Sequence, residues 1–410
     1  MITKGEIQEI CFEEILGLWK SLPTSFPEFL TEVEEEQKRE NEVFLEGMGK
    51  RWKKIGKAFP EDESEQAEWK KQVDVLMEEF LEKEQILGIR KSMSQELFQD
   101  FEEETKEFVR QTRRFDSEIS LENIWQALRN YFIYAVIADL QGQPQKCKED
   151  IFSYSLLYPY TDNYIDEKEY SEEEKKAYNE MIQDVLCDRP VMVEKGIPEK
   201  TCRLLEQLLS GYEGEKRKEI QNLLLLMLEA QSNSIRQQSG KEKLSEEAIL
   251  RISVYKGSIS VLIDYFFTVP RMKKEEIDFY LKFGFLLQLA DDLQDVKEDK
   301  KSGSQTLMGK RAEEETLEEA VNHLLHYTHK IFAEFTPIND GLKSFMEQHC
   351  YTMVVAAALA NSEYFSKDYI RKLERFFPVH VEYMQKQQMM PEKIDERMRQ
   401  RMDKYIECLL

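Results

Sequence analysis

Residues 283–299, FGFLLQLADDLQDVKED, pass from apolar to acidic without a break in period: Phe283, Leu287, Asp291, Asp295 and Asp299 recur every four residues. That spacing predicts a helix whose one face begins apolar and continues acidic, drifting only slowly around the axis. A second stripe of the same kind runs through Tyr154, Tyr158, Asp162 and Asp166, with Pro159 expected to kink or start its helix. Residues 120–140 open on Ser120 as an N-cap, are aromatic or aliphatic on most faces, and stop before Gly142 and Pro144, which predicts a buried helix. Residues 219–240 predict a long, mostly buried helix. Its polar end, Gln231, Ser232, Asn233 and Arg236, either lines a cavity or forms an exposed turn. In residues 246–270 the triplet Lys256-Gly257-Ser258 interrupts an otherwise apolar helical run. A basic loop, KKSGSQTLMGKR, follows Asp299, and helices are expected again at 313–335, 341–365, 368–377 and 391–406.

Residues 1–115 are helical in pattern but strongly charged, with breaks at Pro23–Pro27, at 59–62 and near Gly88. Trp19, Trp52 and Trp69 are the anchors that would pin these helices to a core or to one another. No repeat of 30–50 residues is visible, which disfavours a solenoid. The reading is an all-α protein: a helical N-terminal extension or cover at 1–115, and a helical bundle at 116–410 large enough to form a domain.

Composition narrows the function classes. With only 16 Gly and 11 Pro in 410 residues, the chain favours helix throughout. A formal net charge of −23 makes nucleic acid and anionic membrane poor partners. An anionic small molecule would also be repelled unless a metal or a local cluster of Lys and Arg receives it. Six cysteines with no CxxC pair read as reduced thiols, pointing to the cytoplasm. The first residues lack the charged-then-apolar order of a signal peptide. The longest apolar stretches, 223–228 and 261–269, fall far short of the ~20 residues a membrane span needs. A soluble protein is expected, and a peripheral membrane contact stays compatible with it.

Carboxylates that continue a core-facing stripe are costly unless something neutralises them. Hard oxygen ligands at helical spacing suit magnesium. If the two stripes meet across a bundle, Asp162 and Asp166 would face Asp291, Asp295 and Asp299, and the repulsion would call for cations between them, more than one in number. Such a site receives diphosphate oxygens. Lys256, Lys300, Lys301 and Arg311 supply positive charge beside it. Lys256 amid apolar residues needs an anionic partner, either a diphosphate or a carboxylate of the chain such as Asp264. Gly257 marks a kink or a close approach to a ligand. Nearby aromatics (Tyr131, Phe132, Tyr134, Tyr154, Tyr158, Tyr265, Phe266, Phe267) suit a carbocation, although such residues form the core of any helical protein. His323, His326 and His329 sweep around their helix and read as packing or surface residues. No histidine follows a Glu by three residues, which removes the Glu-x-x-His signature of a di-iron bundle.

These residues carry a family resemblance. LQLADDLQDVKED, residues 287–299, resembles the second aspartate motif of squalene/phytoene synthases and other class I terpenoid synthases, and TDNYIDE, residues 161–167, resembles the first. Asp291, Asp295 and Asp299 also hold the spacing of the metal-binding triad of terpene cyclases. KGSISVLID, residues 256–264, is similar to a segment of large-terpene cyclases of the tetraprenyl-β-curcumene synthase type. The resemblance covers roughly residues 120–370, with the two motifs about 130 residues apart. It implies a class I terpenoid synthase-like bundle in which all five aspartates hold magnesium and act in catalysis, and in which Lys256, Lys300, Lys301 and Arg311 grip the substrate diphosphate.

The departures are informative. Squalene/phytoene synthases carry arginines before the first motif and inside the second, where this chain has Pro159-Tyr160 and Gln294. Chain-elongating prenyltransferases follow the first motif with an arginine pair, where this chain has EKEYSEEEKK. Asn163 replaces a motif aspartate, but Asp162 and Asp166 keep the i, i+4 pair. The expectation is therefore a magnesium-dependent cyclase, a lyase of isoprenoid biosynthesis that ionises one linear polyprenyl diphosphate. The alternatives are a squalene/phytoene-type condensing synthase and a non-catalytic helical scaffold.

Overall fold

The computed structural model describes residues 2–89, 95–166, 170–238, 243–314, 316–388 and 404–405; the side chains at 95–97, 166, 172 and 388 are left aside. Among the described residues every regular element is a helix. The N-terminal part comprises α1 (Lys4–Glu9), α2 (Leu16–Ser21), α3 (Glu35–Lys57), α4 (Glu63–Lys83) and α5 (Gln95–Phe115). Then follow α6 (Leu121–Leu140), α7 (Glu149–Asp166), α8 (Glu172–Leu186), α9 (Ile197–Ser210) and α10 (Gly214–Gln238). The central pair is α11 (Glu246–Thr268) and α12 (Lys274–Gln294), continued by α13 (Val296–Ser302) and α14 (Leu307–Glu314). The chain ends in α15 (Glu318–Glu334), α16 (Asp340–Ala360), α17 (Lys367–Glu374) and α18 (Val381–Gln388). The helix expected at 391–406 lies outside the described residues apart from 404–405.

α11 is buried on nearly every face and forms the axis of the bundle. It packs most extensively against α12, and also against α10 and α6, while α7 lies on α6 and α9. Local chemistry explains where these helices start and stop. Ser120 Oγ accepts from the Asn123 N–H at 3.2 Å and opens α6, which ends before Gly142 in the left-handed region at φ 61°. Ser245 caps α11 in the same way at Ala248. α7 continues through Pro159 and neither starts nor stops there, at the cost of the bond that its missing N–H would give Ser155.

Residues on both sides of position 115 enter the same core: Ile7, Cys11, Ile15 and Trp19 are buried against the bundle, as is Phe108. Those four apolar positions step by four residues, which drifts around an ideal 3.6-residue helix. A π-helical stretch at Ile10–Ile15 widens one turn between α1 and α2 and brings the stripe back onto α11 and α12. α3 and α4 form a hairpin with its own small core of Phe59, Trp69 and Val73, against which Trp52 and Tyr405 pack. The hairpin is tied to the C-terminal turn by Lys38, only 1% exposed, whose Nζ donates to the Glu374 carbonyl at 2.7 Å. Asn41 Nδ2 adds a bond to the Pro378 carbonyl at 2.8 Å. Among the described residues no helix is long and apolar enough to cross a membrane.

Candidate functional site

A cavity of about 350 Å³ opens where α6, α7, α11 and α12 converge, with Met227 of α10 and Met353 of α16 completing its walls. The helical period puts the lining there. Lys256 and Ser260 lie one turn apart on α11, as do Leu287 and Asp291 on α12, and Tyr158 and Asp162 on α7. Gly257 and Gly284, which also line the cavity, let α11 and α12 touch backbone to backbone. The glycine in the KGS triplet therefore serves a close helix crossing and also lines the cavity.

At the open end Arg129 and Asp291 are exposed, with Asp162 and Lys256 half-buried between them and the interior. Neither Arg129 nor Lys256 has a carboxylate oxygen within 4.0 Å among the described residues. Asp291 touches solvent through the cavity, yet enough protein surrounds it that burial raises its pKa, as does the charge of Asp295, against the pull of Arg129 and Lys256. Asp299 is pushed up to about 6, first by burial and then by repulsion from Asp295 and Asp291, despite a hydrogen bond with Thr306. The neighbouring Asp292, 4% exposed, is pushed up to about 8 by burial; Gln288 Nε2 donates to its Oδ1 at 3.0 Å. Asp291, Asp295 and Asp299 crowd acidic groups beside two cations that have no ion pair among the described residues.

The deep end is neutral and hydrogen-bonded. Tyr158 OH lies 2.6 Å from Ser260 Oγ and 3.1 Å from Tyr154 OH. Asn130 Nδ2 donates to Ser155 Oγ at 3.1 Å and to Asp264 Oδ1 at 3.2 Å. Asp264 is fully buried, its Oδ2 has no partner, and burial raises its pKa well above the usual carboxylate range. Lys256 is thus not the partner of Asp264; an amide takes that place, and the lysine is left for the cavity.

The sequence-predicted residues divide. Asp162, Asp291 and Lys256 line one cavity. Asp295 and Asp299 stand further along the same acidic stripe, outside the wall but close enough to raise the pKa of Asp291 or of each other's neighbours. The helix expected to carry them without interruption is distorted at Asp295 (φ −95°, ψ 11°), which ends α12 and opens α13. Asp295 N still donates to Asp291 O and Asp299 N to Asp295 O, both at 2.9 Å, so the four-residue spacing survives. Asn361 Nδ2 stabilises the distorted turn by donating to the Leu293 and Gln294 carbonyls at 3.0 and 3.2 Å. The Asp166 side chain lies outside the described residues.

Three expected diphosphate ligands are placed elsewhere, and the loop that carries them is a helix–turn–helix around Gly303 (φ 82°). Arg311 pairs with Glu246 at 2.7 Å and lines a separate cavity beside Trp19 and His323. Lys300 donates to the Ala312 carbonyl at 3.4 Å and lies 5.0 Å from the centre of the Tyr364 ring. Lys301 is exposed and does not line the cavity. Of the named aromatics, Tyr158 lines the cavity and Tyr154 supports it, while Tyr131, Tyr134, Tyr265 and Phe266 are core. The histidines pack, as expected: His323 stacks on Trp19 at 3.9 Å, and His326 bonds the Ser25 carbonyl at 3.0 Å.

Arg129 and Asn130 escaped the reading of the sequence, although a signal for them exists. An Arg-Asn pair inside IWQALRNYFIYAVIADL breaks an apolar helix in the way that Lys256 breaks α11.

Among the described residues no three metal-ligating side chains already converge on one point. Magnesium does not require this: it is commonly held by one or two carboxylates, with water and phosphate oxygens completing its shell. The donor set fits the ion in kind. Asp162 and Asp291 supply hard oxygens to one cavity, and the repulsion between Asp291, Asp295 and Asp299 is what a bound cation would relieve. No protein-family model, no curated protein and no solved structure matches this chain.

Proposed function

We propose that this chain is a magnesium-dependent enzyme of the class I terpenoid synthase type, which ionises a linear polyprenyl diphosphate and closes a ring on the resulting cation. One observation carries the reading: Arg129 and Lys256, both without an ion pair among the described residues, share a single cavity with Asp162 and Asp291. Cations alone would invite any anion and carboxylates alone any metal. A metal–diphosphate complex satisfies both sets at once.

Each group then has a task. Arg129 and Lys256 hold the diphosphate and stabilise the charge that grows on it as the carbon–oxygen bond breaks. Asp162 and Asp291, supported by Asp295 and Asp299, hold the magnesium, which supplies Lewis-acid stabilisation to the same leaving group. Ile133, Val261, Leu287 and Met227 give the hydrocarbon an apolar wall that excludes water. Tyr158, which also lines the cavity, adds an aromatic ring suited to a cation–π contact. The five cysteines among the described residues are all free, which suits a reducing compartment, and we place the protein in the cytoplasm.

Arg129 also favours a second reading. It provides a cation that the aspartate motifs lack, and two separate cations can receive two diphosphates, as in a condensing synthase. Product mass distinguishes the two, because condensation joins two carbon skeletons and cyclisation keeps one.

The test is incubation of the purified chain and magnesium with geranyl, farnesyl, geranylgeranyl and longer polyprenyl diphosphates, followed for diphosphate release and by mass spectrometry. Release with a cyclic product of unchanged carbon number is the expected result, and Asp291→Asn should abolish most of it. No release from any substrate, with no binding of inorganic pyrophosphate, would leave the helical scaffold as the better description.

A further inference from the structure

Gln231 belongs to the polar end of α10 and is 8% exposed. It does not line the main cavity. It lies in a smaller apolar pocket of about 50 Å³ among Leu157, Ile182, Leu205 and Leu224, which shares Tyr158, Asp162 and Met227 with the larger one. The Asp162 carboxylate is thus part of the partition between the two spaces. From the apolar side, Gln231 Nε2 donates to Asp162 Oδ1.

An amide in an apolar pocket needs partners for its polar groups, and one N–H of Gln231 finds Asp162. That bond to one oxygen restrains the rotation of the carboxylate and so biases the direction of its second oxygen. Hydrogen bonds of this kind orient metal-ligating carboxylates, and their removal typically lowers metal affinity about 10–100-fold. Through this bond a helix remote in sequence takes part in orienting α7's acid.

We infer that Gln231 is a positioning residue for Asp162, setting how tightly the site takes up a divalent cation together with a diphosphate. This rests on the metal–diphosphate reading above, and the experiment separates the two. Binding of Mn²⁺ to the full chain is measured by electron paramagnetic resonance of the free ion, with and without inorganic pyrophosphate, for wild type, Gln231→Leu and Gln231→Met. Both variants keep the bulk and remove the donor. Pyrophosphate binding without metal is measured in parallel, because Arg129 and Lys256 should still provide it.

The expected result is an affinity for Mn²⁺ with pyrophosphate about tenfold or more weaker in both variants, with metal-free pyrophosphate binding unchanged. Wild type that takes up no Mn²⁺ even with pyrophosphate overturns the metal–diphosphate reading and this inference with it. Wild type that binds and variants that bind equally well overturn the role of Gln231 alone. Loss of metal-free pyrophosphate binding in both variants would also overturn it, since Gln231 would then support the fold of the site and not the direction of one carboxylate.

Discussion

Gly257 and Gly284 face each other where α11 crosses α12, and neither tolerates a side chain. A Cβ on Gly257 would lie 2.8 Å from Gln288 Cβ and closer still to the Gly284 carbonyl; one on Gly284 would lie 2.8 Å from Ser258 Cα. Ser258 Oγ donates to the Leu281 carbonyl at 2.7 Å and locks the crossing. This contact holds Lys256 and Gln288 at the wall of one cavity.

Gly257→Ala should therefore destabilise the chain, although alanine is the better helix former by about 1 kcal/mol. The obstacles at Gly257 are the Gly284 backbone and the Gln288 Cβ, which have no rotamer to yield, so overpacking costs at least the usual ~1–3 kcal/mol. Gly49→Ala, in α3 with open space around it, should gain stability up to ~1 kcal/mol. Urea unfolding of the two variants checks this; equal stability changes at both glycines would refute the tight crossing.

Arg129→Ala and Lys256→Ala should each weaken binding of inorganic pyrophosphate by roughly ten- to a hundredfold, the worth of a hydrogen bond to a charged group at ~1.5–3 kcal/mol. Removing Arg311, which is already engaged with Glu246, should leave that affinity near wild type. Titration calorimetry decides the matter. A larger loss for Arg311→Ala than for Arg129→Ala would move the anion site to the other cavity.

The buried acids make stability fall with rising pH. Asp292 titrates near 8 in the folded chain against about 3.9 when unfolded, so between those values the folded state holds a proton that the unfolded state has released. The folded state gives up that advantage as pH climbs through this window. Asp292→Asn, which keeps the acceptor for Gln288, should be more stable than wild type at pH 8 by on the order of a few kcal/mol. The difference should shrink toward pH 5. Asp264→Asn should behave in the same direction. Denaturant unfolding at the two pH values, compared between each variant and wild type, gives the answer; a difference that does not depend on pH would show that these acids are ionised when buried.

His380 works with the opposite chemistry but the same sign. Hydrogen bonds first to Glu35, at 3.0 Å from Nε2, and then to Glu42, at 2.7 Å from Nδ1, raise its pKa. A histidine raised in the folded state contributes fully below its ordinary value of about 6.5 and loses that contribution as pH rises through the folded value. His380→Gln should loosen the α3 hairpin from the C-terminal turn at pH 6 and cost less at pH 8.5. Hydrogen exchange of the α3 amides at both pH values measures it, and equal protection in wild type and variant at pH 6 would contradict the clamp.

Much of the helical framework was legible beforehand because its signals are local. The Ser120 cap, the stop at Gly142 and the breaks at Pro23–Pro27 and Gly88 each depend on a few neighbouring residues. The same holds for the two apolar-to-acidic stripes, whose spacing outlasts even the distorted turn at Asp295. Lys256 was conspicuous for being charged inside an apolar run. Arg129 was equally conspicuous by that standard, but it stood outside the aspartate motifs that drew attention.

The sequence by itself determined that the chain is helical and which positions on each helix are apolar or acidic, because helix period and capping act over one or two turns. Only the tertiary structure decided which charges meet. Arg311 found Glu246 across 65 residues, Asp264 found Asn130 across 134, and Asp162 found Gln231 across 69. Such pairings depend on how far each helix is rotated and how closely it crosses its neighbour. At Gly257 and Gly284 that closeness comes from two side chains that are absent. Residues 283–299 displayed a row of acids; the crossing of α11 on α12 set Lys256 beside Asp291, and α6 brought Arg129 to the same cavity.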